Sequence, residues 1–219
     1  MIKLYTNRLS NNARRVQVAL LEKGLEAELI PVKLNGEQFQ PDFLTLNPFH
    51  KVPVLIDGDL TLIESLAILD YLDAQYPDPP LLPTAPRDLA QVRMLTQVQV
   101  QEMTPLIFPL LREKVGVSVA ADVVETAQTQ MQMVLSFYDR HLIEHDFFIP
   151  GQFTQADIVV GVSVAILDAF LGFDLTPYAH LAAWYDRLYQ RPSWQATQPN
   201  PMEVMTALPQ IRAVLKQRS

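Results

Sequence analysis

The stretch Asn47-Pro48-Phe49-His50-Lys51-Val52-Pro53-Val54-Leu55 decides how the first part of the chain folds. Residues 52–56 have the apolar composition of a buried strand, yet Pro53 lies among them. Proline has no N–H for a ladder hydrogen bond, so it belongs at a sheet edge, a strand start or a bulge. A cis Val52–Pro53 bond would turn the Val52 main chain toward an extended peptide, and a trans bond would simply begin a strand. The proline alone leaves both alternatives open.

Around this stretch, the chain alternates between short strands and helices. Two strand patterns enclose an amphipathic helix that stops at Gly24, and Pro31 marks the second strand as an edge strand. After a looser segment, the turn residues Asp57-Gly58-Asp59 predict a hairpin, and a further helix follows. The predicted elements are strands at 3–6, 27–32, 54–56 and 60–63, and helices at 13–23 and 66–75.

The second part of the chain has no strand signals. Residues 78–86 are rich in proline and predict a stiff linker. Five helical patterns follow, and Pro105 and Pro109 are expected to bend or split the first of them. The sequence therefore predicts an α+β domain at 1–78 with the order βαβ–ββα, a linker at 79–86 and an all-helical domain at 87–219. The predicted helices lie at 87–114, 120–145, 155–171, 177–190 and 202–216.

Composition excludes several classes of function. The 219 residues carry a net charge of -7, which argues against a nucleic acid or an anionic membrane as partner. The most apolar run, residues 158–173, is interrupted by Ser163 and Asp168 and predicts a buried helix rather than a membrane span. No signal-peptide pattern opens the chain, so we expect a cytoplasmic protein. With no cysteine present, any reactive sulfur must arrive on a ligand.

Two serines are predicted to lie at helix N-termini, where free N–H groups attract anions. Ser65 is expected to cap the helix after the hairpin, and Glu64 beside it suits an ammonium, so the pair fits an α-amino acid head group. Ser10 precedes Arg14 and Arg15, and Arg15 is expected on a solvated helix face. The alternative for both serines is a plain helix cap.

The same serine chemistry is strong enough to ionise a ligand thiol. Lowering a thiol pKa by about two units from its ordinary value near 8.5 takes roughly 2.7 kcal/mol of selective stabilisation of the thiolate. One hydroxyl donating to a charged acceptor contributes about 1.5–3 kcal/mol, and a helix N-terminus adds to it. Ser10 is therefore able to do this work without a general base.

Two further motifs are assigned to folding. Thr154-Gln155-Ala156-Asp157 precedes an apolar helix and predicts a capping box with aspartate in the place of the usual glutamate. His141, Glu144 and His145 match the H-x-x-E-H zinc pattern, but a catalytic zinc needs a third protein ligand, and the helix ends almost at once. A polar helix end is the better interpretation, and no metal site is predicted.

Taken together, these residues show that the chain resembles a cytosolic glutathione transferase over essentially its full length. The order and spacing of five features carry this resemblance. They are Leu4-Tyr5 with Ser10 and Arg14-Arg15-Val16; Asn47-Pro48 with Lys51-Val52-Pro53-Val54-Leu55; Leu62-Ile63-Glu64-Ser65-Leu66-Ala67-Ile68; Thr154-Gln155-Ala156-Asp157-Ile158; and Arg191-Pro192-Ser193-Trp194.

The resemblance implies a thioredoxin-like domain that binds glutathione as co-substrate, without a metal. It implies a cis Val52–Pro53 bond whose main chain pairs with the cysteinyl unit. Glu64 and Ser65 match positions that hold the γ-glutamyl group, Lys51 matches a position that meets the glycyl carboxylate, and Gln38 matches a position of another polar contact. Serine-type members place the activating hydroxyl where Ser10 stands, with fallback candidates Asn11, Arg14 and Tyr5, in that order.

The resemblance also implies partners. The expected second substrates are hydrophobic electrophiles or organic peroxides, in a pocket lined by Leu9, Met103 and Phe108. Phe49 matches a position where some members insert an aromatic ring into a second subunit, so we expect a homodimer, with packing inside one chain as the equal alternative. Two other functions stay open: a non-catalytic binding scaffold and a glutathione-dependent isomerase.

Overall fold

The computed structural model describes residues 1–33 and 36–217, which form two compact units. The first unit is the α+β unit and comprises Met1–Leu82 together with Pro192–Pro199. Before the proline-rich segment at 78–86, strands and helices alternate along this unit as the sequence predicts. They are β1 (Ile2–Thr6), α1 (Asn11–Glu22), β2 (Ala27–Pro31), a 3₁₀ turn (Glu37–Phe39), α2 (Pro41–Leu46), β3 (Val54–Asp57), β4 (Leu60–Ile63) and α3 (Ser65–Gln75).

The four strands form one mixed sheet in the order β2-β1-β3-β4. Strand β2 pairs in parallel with β1 alone and ends at Pro31, so its predicted edge position is confirmed. Strands β3 and β4 form the predicted hairpin, and Gly58 in its turn has a φ of 62°, which glycine adopts without strain. The predicted βαβ–ββα order is therefore confirmed. The segment at 38–46, predicted to be loose, contains the short helix α2, which begins at Pro41, a favoured first helical residue.

A polar contact ties the hairpin to α3. The carboxylate of Asp57 accepts hydrogen bonds from the Tyr71 hydroxyl at 2.9 Å and from the Tyr76 hydroxyl at 2.6 Å. The bond from Tyr76 is the largest influence that holds the pKa of Asp57 below its ordinary value, and the same bond raises the pKa of Tyr76 to about 12. An ionised Asp57 therefore stabilises the packing of α3 on the sheet.

The start of the predicted linker is bound to the α+β unit. Lys23 has a buried side chain whose Nζ lies 2.9 Å from Asp73 Oδ1 and donates to the Pro79 carbonyl at 2.7 Å. The Asp73 carboxylate also accepts from the main-chain N–H of Leu81 at 2.6 Å and of Leu82 at 3.2 Å. Residues 79–82, predicted to be linker, are thus fixed to the unit by one buried ion pair.

The α+β unit also contains a late segment of the chain, α9 (Pro192–Thr197). Trp194 in this helix is fully buried, and Ser193 Oγ donates to the Glu22 carboxylate on α1. The prediction that everything after residue 86 belongs to the helical domain is wrong here. Its physical reason is long-range packing against α1, which local sequence patterns do not report.

The second unit is helical and comprises Pro83–Arg191 and the chain from Asn200 onward. The long helix predicted at 87–114 is split, as the prolines suggested, but the break is a π-helical turn at Gln99–Met103, just before Pro105. Gln99 is buried there and its amide donates to Ser163 Oγ at 2.7 Å. Among the described residues, no helix has the length and apolar character needed to cross a membrane. The α-helices are α4 (Pro86–Val98), α5 (Thr104–Lys114), α6 (Ala121–His141), α7 (Gln155–Ile166), α8 (Ala179–Tyr189) and α10 (Pro201–Gln217).

The capping box before α7 is confirmed and is fully buried. The Asp157 carboxylate accepts from the Thr154 N–H at 2.8 Å, the Phe148 N–H at 3.2 Å and the Trp184 indole N–H at 2.9 Å. Burial raises the pKa of Asp157 from its ordinary 3.8 to about 6, although these donors oppose the shift. One side chain thereby joins α7, α8 and the loop before α7.

We expect the stability contribution of Asp157 to fall as pH rises. Its folded-state pKa lies above the unfolded value, so its contribution is complete below about pH 4 and is lost as pH rises through about 6, on the order of 2–3 kcal/mol in all. Urea unfolding of wild type and Asp157→Asn across this range isolates the carboxyl, because the other groups titrate in both proteins.

Asp57→Asn is the matched control with the opposite sign. The pKa of Asp57 is lowered, so its contribution is present at neutral pH and is lost as pH falls. The prediction for Asp157 is contradicted if the difference in unfolding free energy between wild type and Asp157→Asn stays flat or rises with pH.

Candidate functional site

The predicted site residues converge at one end of the sheet because of the strand register. Val54, the first residue of β3, lies opposite Tyr5 near the end of β1 and opposite Ile63 at the end of β4. Strand β2 ends beside β1, with Pro31 opposite Thr6. The segments after β1, after β2, before β3 and after β4 therefore all leave the sheet at the same end, which we call the site end.

The loop after β1 is held in place by Asn7, a residue that the sequence analysis did not identify. Its Nδ2 donates to the Val32 carbonyl at 2.8 Å, and its Oδ1 accepts from the Leu9 N–H at 3.0 Å. The N–H of Ser10 donates to the Asn7 carbonyl at 2.9 Å. These bonds tie the start of α1 to the end of β2.

Ser10 is the N-cap of α1, as predicted. Its Oγ accepts from the Ala13 N–H at 3.3 Å, and no acidic side chain lies in the first turn. A serine hydroxyl has one donor and two acceptor positions, so the capping bond leaves the O–H able to donate to a ligand. Asn11 follows as the first residue of α1, and both residues are half-buried. Ser10 thus sits at a helix N-terminus whose positive potential is not offset by a local acid.

The two consecutive arginines of α1 have the same burial, 4% exposed, but point to different partners. Arg14 donates to Thr197 Oγ1 at 3.3 Å and to the Trp194 carbonyl at 3.4 Å, so it packs α1 against α9. Arg15 donates to Ser65 Oγ at 3.3 Å. The expectation that Arg15 lies on a solvated face is wrong, and nothing in a local helical pattern distinguishes the two directions.

At the other helix, Ser65 is the first residue of α3 and Glu64 is the N-cap, which corrects the predicted cap by one residue. Glu64 is exposed and has a φ of 67°, an uncommon conformation for a residue with a side chain. Ser65 is 5% exposed and takes the bond from Arg15. An exposed carboxylate and a buried hydroxyl therefore stand side by side at the site end.

The Val52–Pro53 bond is cis, as the resemblance implied. The N–H and C=O of Val52 lie outside the β3 ladder, which begins at Val54. Among the described residues, neither group is hydrogen-bonded to another main-chain group. Asn47, 3% exposed, organises the loop before them: its Nδ2 donates to the Lys51 carbonyl at 2.7 Å and its Oδ1 accepts from the Phe49 N–H at 2.9 Å. The Asn47-Pro48 pair was visible in the sequence, but its anchoring role was not identified.

The remaining candidates differ in their surroundings. Lys51 is exposed, whereas Gln38 is 7% exposed and its Oε1 accepts from the Gly36 N–H at 2.9 Å. The ring of Tyr5 lies 6.2 Å from that of Phe43, in an apolar cluster of the α+β unit. Tyr5 therefore contributes to packing in this unit.

The residues predicted to line a second-substrate pocket differ in burial. Leu9 is half-buried in the α+β unit. In the helical unit, Met103 is fully buried and Phe108 is 46% exposed. Burial places Met103 in the core of the helical unit, which leaves it no surface exposed to a substrate. Within the described residues, no group of three or more histidine, aspartate or glutamate side chains is arranged to hold a metal, and His141 Nδ1 lies 2.8 Å from the Phe137 carbonyl.

Comparison with known proteins identifies the family. Residues 1–74 match the glutathione S-transferase N-terminal domain, and residues 121–187 match the glutathione S-transferase C-terminal domain. Glutathione S-transferase 3 of Zea mays is 36% identical over 206 residues, which are 90% of this chain and 92% of that protein. A glutathione S-transferase of Silene vulgaris is 32% identical over 211 residues, 90% of this chain and 96% of that protein.

Solved structures agree with this comparison. Glutathione S-transferase III in its apo form is similar with a TM-score of 0.77 and 33% identity, over 91% of this chain and 99% of that one. A delta-class glutathione transferase of Nilaparvata lugens is similar with a TM-score of 0.82 and 26% identity, over 98% of this chain and 100% of that one. The chain belongs to the glutathione S-transferase family.

We expect Asn47→Ala to lower the free energy of unfolding by about 1–3 kcal/mol, because it leaves the Lys51 carbonyl and the Phe49 N–H without their partner. Asn47→Asp keeps the acceptor but loses the donor. It should therefore lower the free energy of unfolding by at least half as much as Asn47→Ala does. Urea unfolding measures both. Asn12→Ala, an exposed position on α1, is the control and should stay within about 0.5 kcal/mol of wild type. If Asn47→Ala has the same free energy of unfolding as wild type, the anchoring role of Asn47 is contradicted.

Proposed function

We propose that the chain is a glutathione transferase that ionises the thiol of bound glutathione and directs the thiolate at hydrophobic electrophiles. The observation that carries this proposal is the Ser10 hydroxyl, whose oxygen accepts from Ala13 at the N-terminus of α1 and whose O–H remains able to donate. Relatives at 32–36% identity that are named glutathione S-transferase support the same conclusion.

The magnitudes are sufficient without a general base. A hydrogen bond from Ser10 to a thiolate contributes about 1.5–3 kcal/mol, and the α1 N-terminus adds about 0.3–1 kcal/mol. Their sum covers the roughly 2.7 kcal/mol needed to lower a thiol pKa by about two units. Because the chain has no cysteine, the sulfur that reacts is the ligand's own.

The other groups at the site end are each suited to bind a different part of the tripeptide. Ser65 and the α3 N-terminus suit the γ-glutamyl carboxylate, and Glu64 suits its ammonium group. The unpaired main chain of Val52 suits the cysteinyl unit as an added strand would. Lys51 is assigned to the glycyl carboxylate and Gln38 to a further polar contact with the tripeptide.

The reaction itself is a nucleophilic substitution or addition. With an activated aryl chloride, the thiolate forms a sulfur–carbon bond, the carbon–chlorine bond breaks, and chloride leaves with the electron pair. The protein contributes the thiolate and its orientation toward the electrophile. Leu9 in the α+β unit and Phe108 in the helical unit are each apolar and not fully buried, as contact with a hydrophobic electrophile requires.

A homodimer is part of the same proposal. Phe49 is 57% exposed, so packing within its own chain does not account for it. The helical unit has a groove in which the apolar side chains of Leu106, Met133 and Phe137 lie beside the charged Glu102 and Arg140, and Met133 is 67% exposed. Both surfaces are unfavourable in water, and insertion of Phe49 from one copy into the groove of another would cover them.

We expect Ser10→Ala to raise the pKa of the bound thiol by about 1–2 units and to reduce turnover at neutral pH about ten- to a hundred-fold, with little loss of glutathione binding. The thiolate absorbance of the complex as a function of pH, together with steady-state turnover of an activated aryl chloride, measures both effects. Ser10→Thr keeps the hydroxyl and the cap, so it should retain a low thiol pKa. Equal thiol pKa values in Ser10→Ala and wild type would remove Ser10 from this role.

Wild type that is not retained on immobilised glutathione would favour the scaffold alternative.

We expect Phe49→Ala to weaken dimerisation about a hundred- to ten-thousand-fold, because about 1.5–3 kcal/mol of apolar burial is lost for each of the two Phe49 side chains in a symmetric dimer. Sedimentation equilibrium measures the dissociation constant, and Met133→Asp in the groove should weaken it as well. Phe39→Ala is the matched control, since Phe39 is 51% exposed but its ring packs at a tilt against that of His50, with the ring centroids 4.8 Å apart. The anchor role is wrong if Phe49→Ala and Phe39→Ala dimerise equally well.

A further inference from the structure

The contact between Arg15 and Ser65 joins α1 to the N-terminus of α3. Arg15 is the fifth residue of α1, and its Nη1 is 3.3 Å from Ser65 Oγ in the first turn of α3. Both side chains are buried, 4% and 5% exposed. A guanidinium is always charged, so a positive charge is held next to this hydroxyl at every physiological pH.

The direction of this hydrogen bond decides what Ser65 can do. Arginine has only donors, so the serine oxygen must accept, and its own O–H must find another acceptor. A serine inside a helix often donates to a carbonyl one turn earlier, but Ser65 begins α3 and has no preceding helical turn. Among the described residues, no group accepts the Ser65 O–H. The hydroxyl is therefore prepared to donate to an anion at the α3 N-terminus.

We propose that Arg15 is a positioning residue that orients and polarises the Ser65 hydroxyl for the α-carboxylate of a γ-glutamyl head group. Arg15 acts through Ser65. Ser65 and the free N–H groups of α3 contact the carboxylate, and the exposed Glu64 meets the ammonium group. This inference rests on the proposed function, since it names how that same site selects the γ-glutamyl end of its thiol substrate.

The experiment compares glutathione with cysteinylglycine, which carries the same thiol but lacks the γ-glutamyl group. Calorimetry gives the dissociation constant of glutathione, and displacement titration gives that of the dipeptide. Wild type should prefer glutathione, and Arg15→Met should lose about ten- to a hundred-fold of that preference. The preference is a ratio within one protein, so a general loss of folded protein does not change it. A structural role alone would therefore leave the ratio unchanged.

Thr197→Val is the matched control. It breaks a contact of the neighbouring Arg14 with α9, at a buried position in the same unit, without touching Ser65. It should lower stability and keep the preference for glutathione within about twofold of wild type. If Arg15→Met keeps the wild-type preference, or if Thr197→Val loses as much of it as Arg15→Met does, the inference is overturned.

A double-mutant cycle with Ser65→Ala tests the path through the hydroxyl. If Arg15 acts through Ser65, the combination of both substitutions costs no more preference than Ser65→Ala alone. If the two substitutions reduce the preference for glutathione additively, Arg15 does not act through the Ser65 hydroxyl. Should Arg15→Met fail to fold, Arg15→Lys keeps the buried charge without the planar fork and is expected to lose at least about threefold of the preference. Wild type that binds and discriminates glutathione but does not turn it over would refute the proposed function and leave this inference standing.

Discussion

The pairing of β3 with both β1 and β4 is the constraint on which the site depends. Val54 is hydrogen-bonded in register with Tyr5 on one side and with Ile63 on the other. A slip of one residue would turn every side chain of β3 to the opposite face of the sheet. This single register brings Ser10, the Val52 main chain and Ser65 to the same end of the sheet, although they come from three separate segments of the chain.

The two serines at that end work by the same principle. In each case the protein supplies an N–H to the serine oxygen, the Ala13 amide for Ser10 and the Arg15 guanidinium for Ser65, so the O–H is left to donate elsewhere. Under the proposed function, these two hydroxyls give a chain with a net charge of -7 two local positions for an anion. Neither position needs an exposed cation, which an acidic surface would otherwise partly neutralise.

Sequence reasoning succeeded where the signal is local. The order of strands and helices, the edge position marked by Pro31, the hairpin at Gly58 and the capping box at Asp157 all follow from backbone chemistry within a few residues. Contacts between distant segments were not predictable in this way. Arg14 and Arg15 are neighbours of one residue type, and only the positions of α9 and α3 determine which of them packs and which reaches Ser65. The hydrogen bonds of Asn47 were also not predictable, because its partner Lys51 is brought within reach only by the conformation of the loop between them.

The membership of α9 in the α+β unit has a consequence for synthesis of the protein. The bond from Arg14 to Thr197 joins residues 183 positions apart, and α9 buries Trp194 in that unit. A chain emerging from the ribosome makes its sheet early but lacks this helix until residue 197 has been translated. The surface of α1 that receives Trp194 therefore stays open to water, or to a chaperone, while the residues between α1 and α9 are being synthesised.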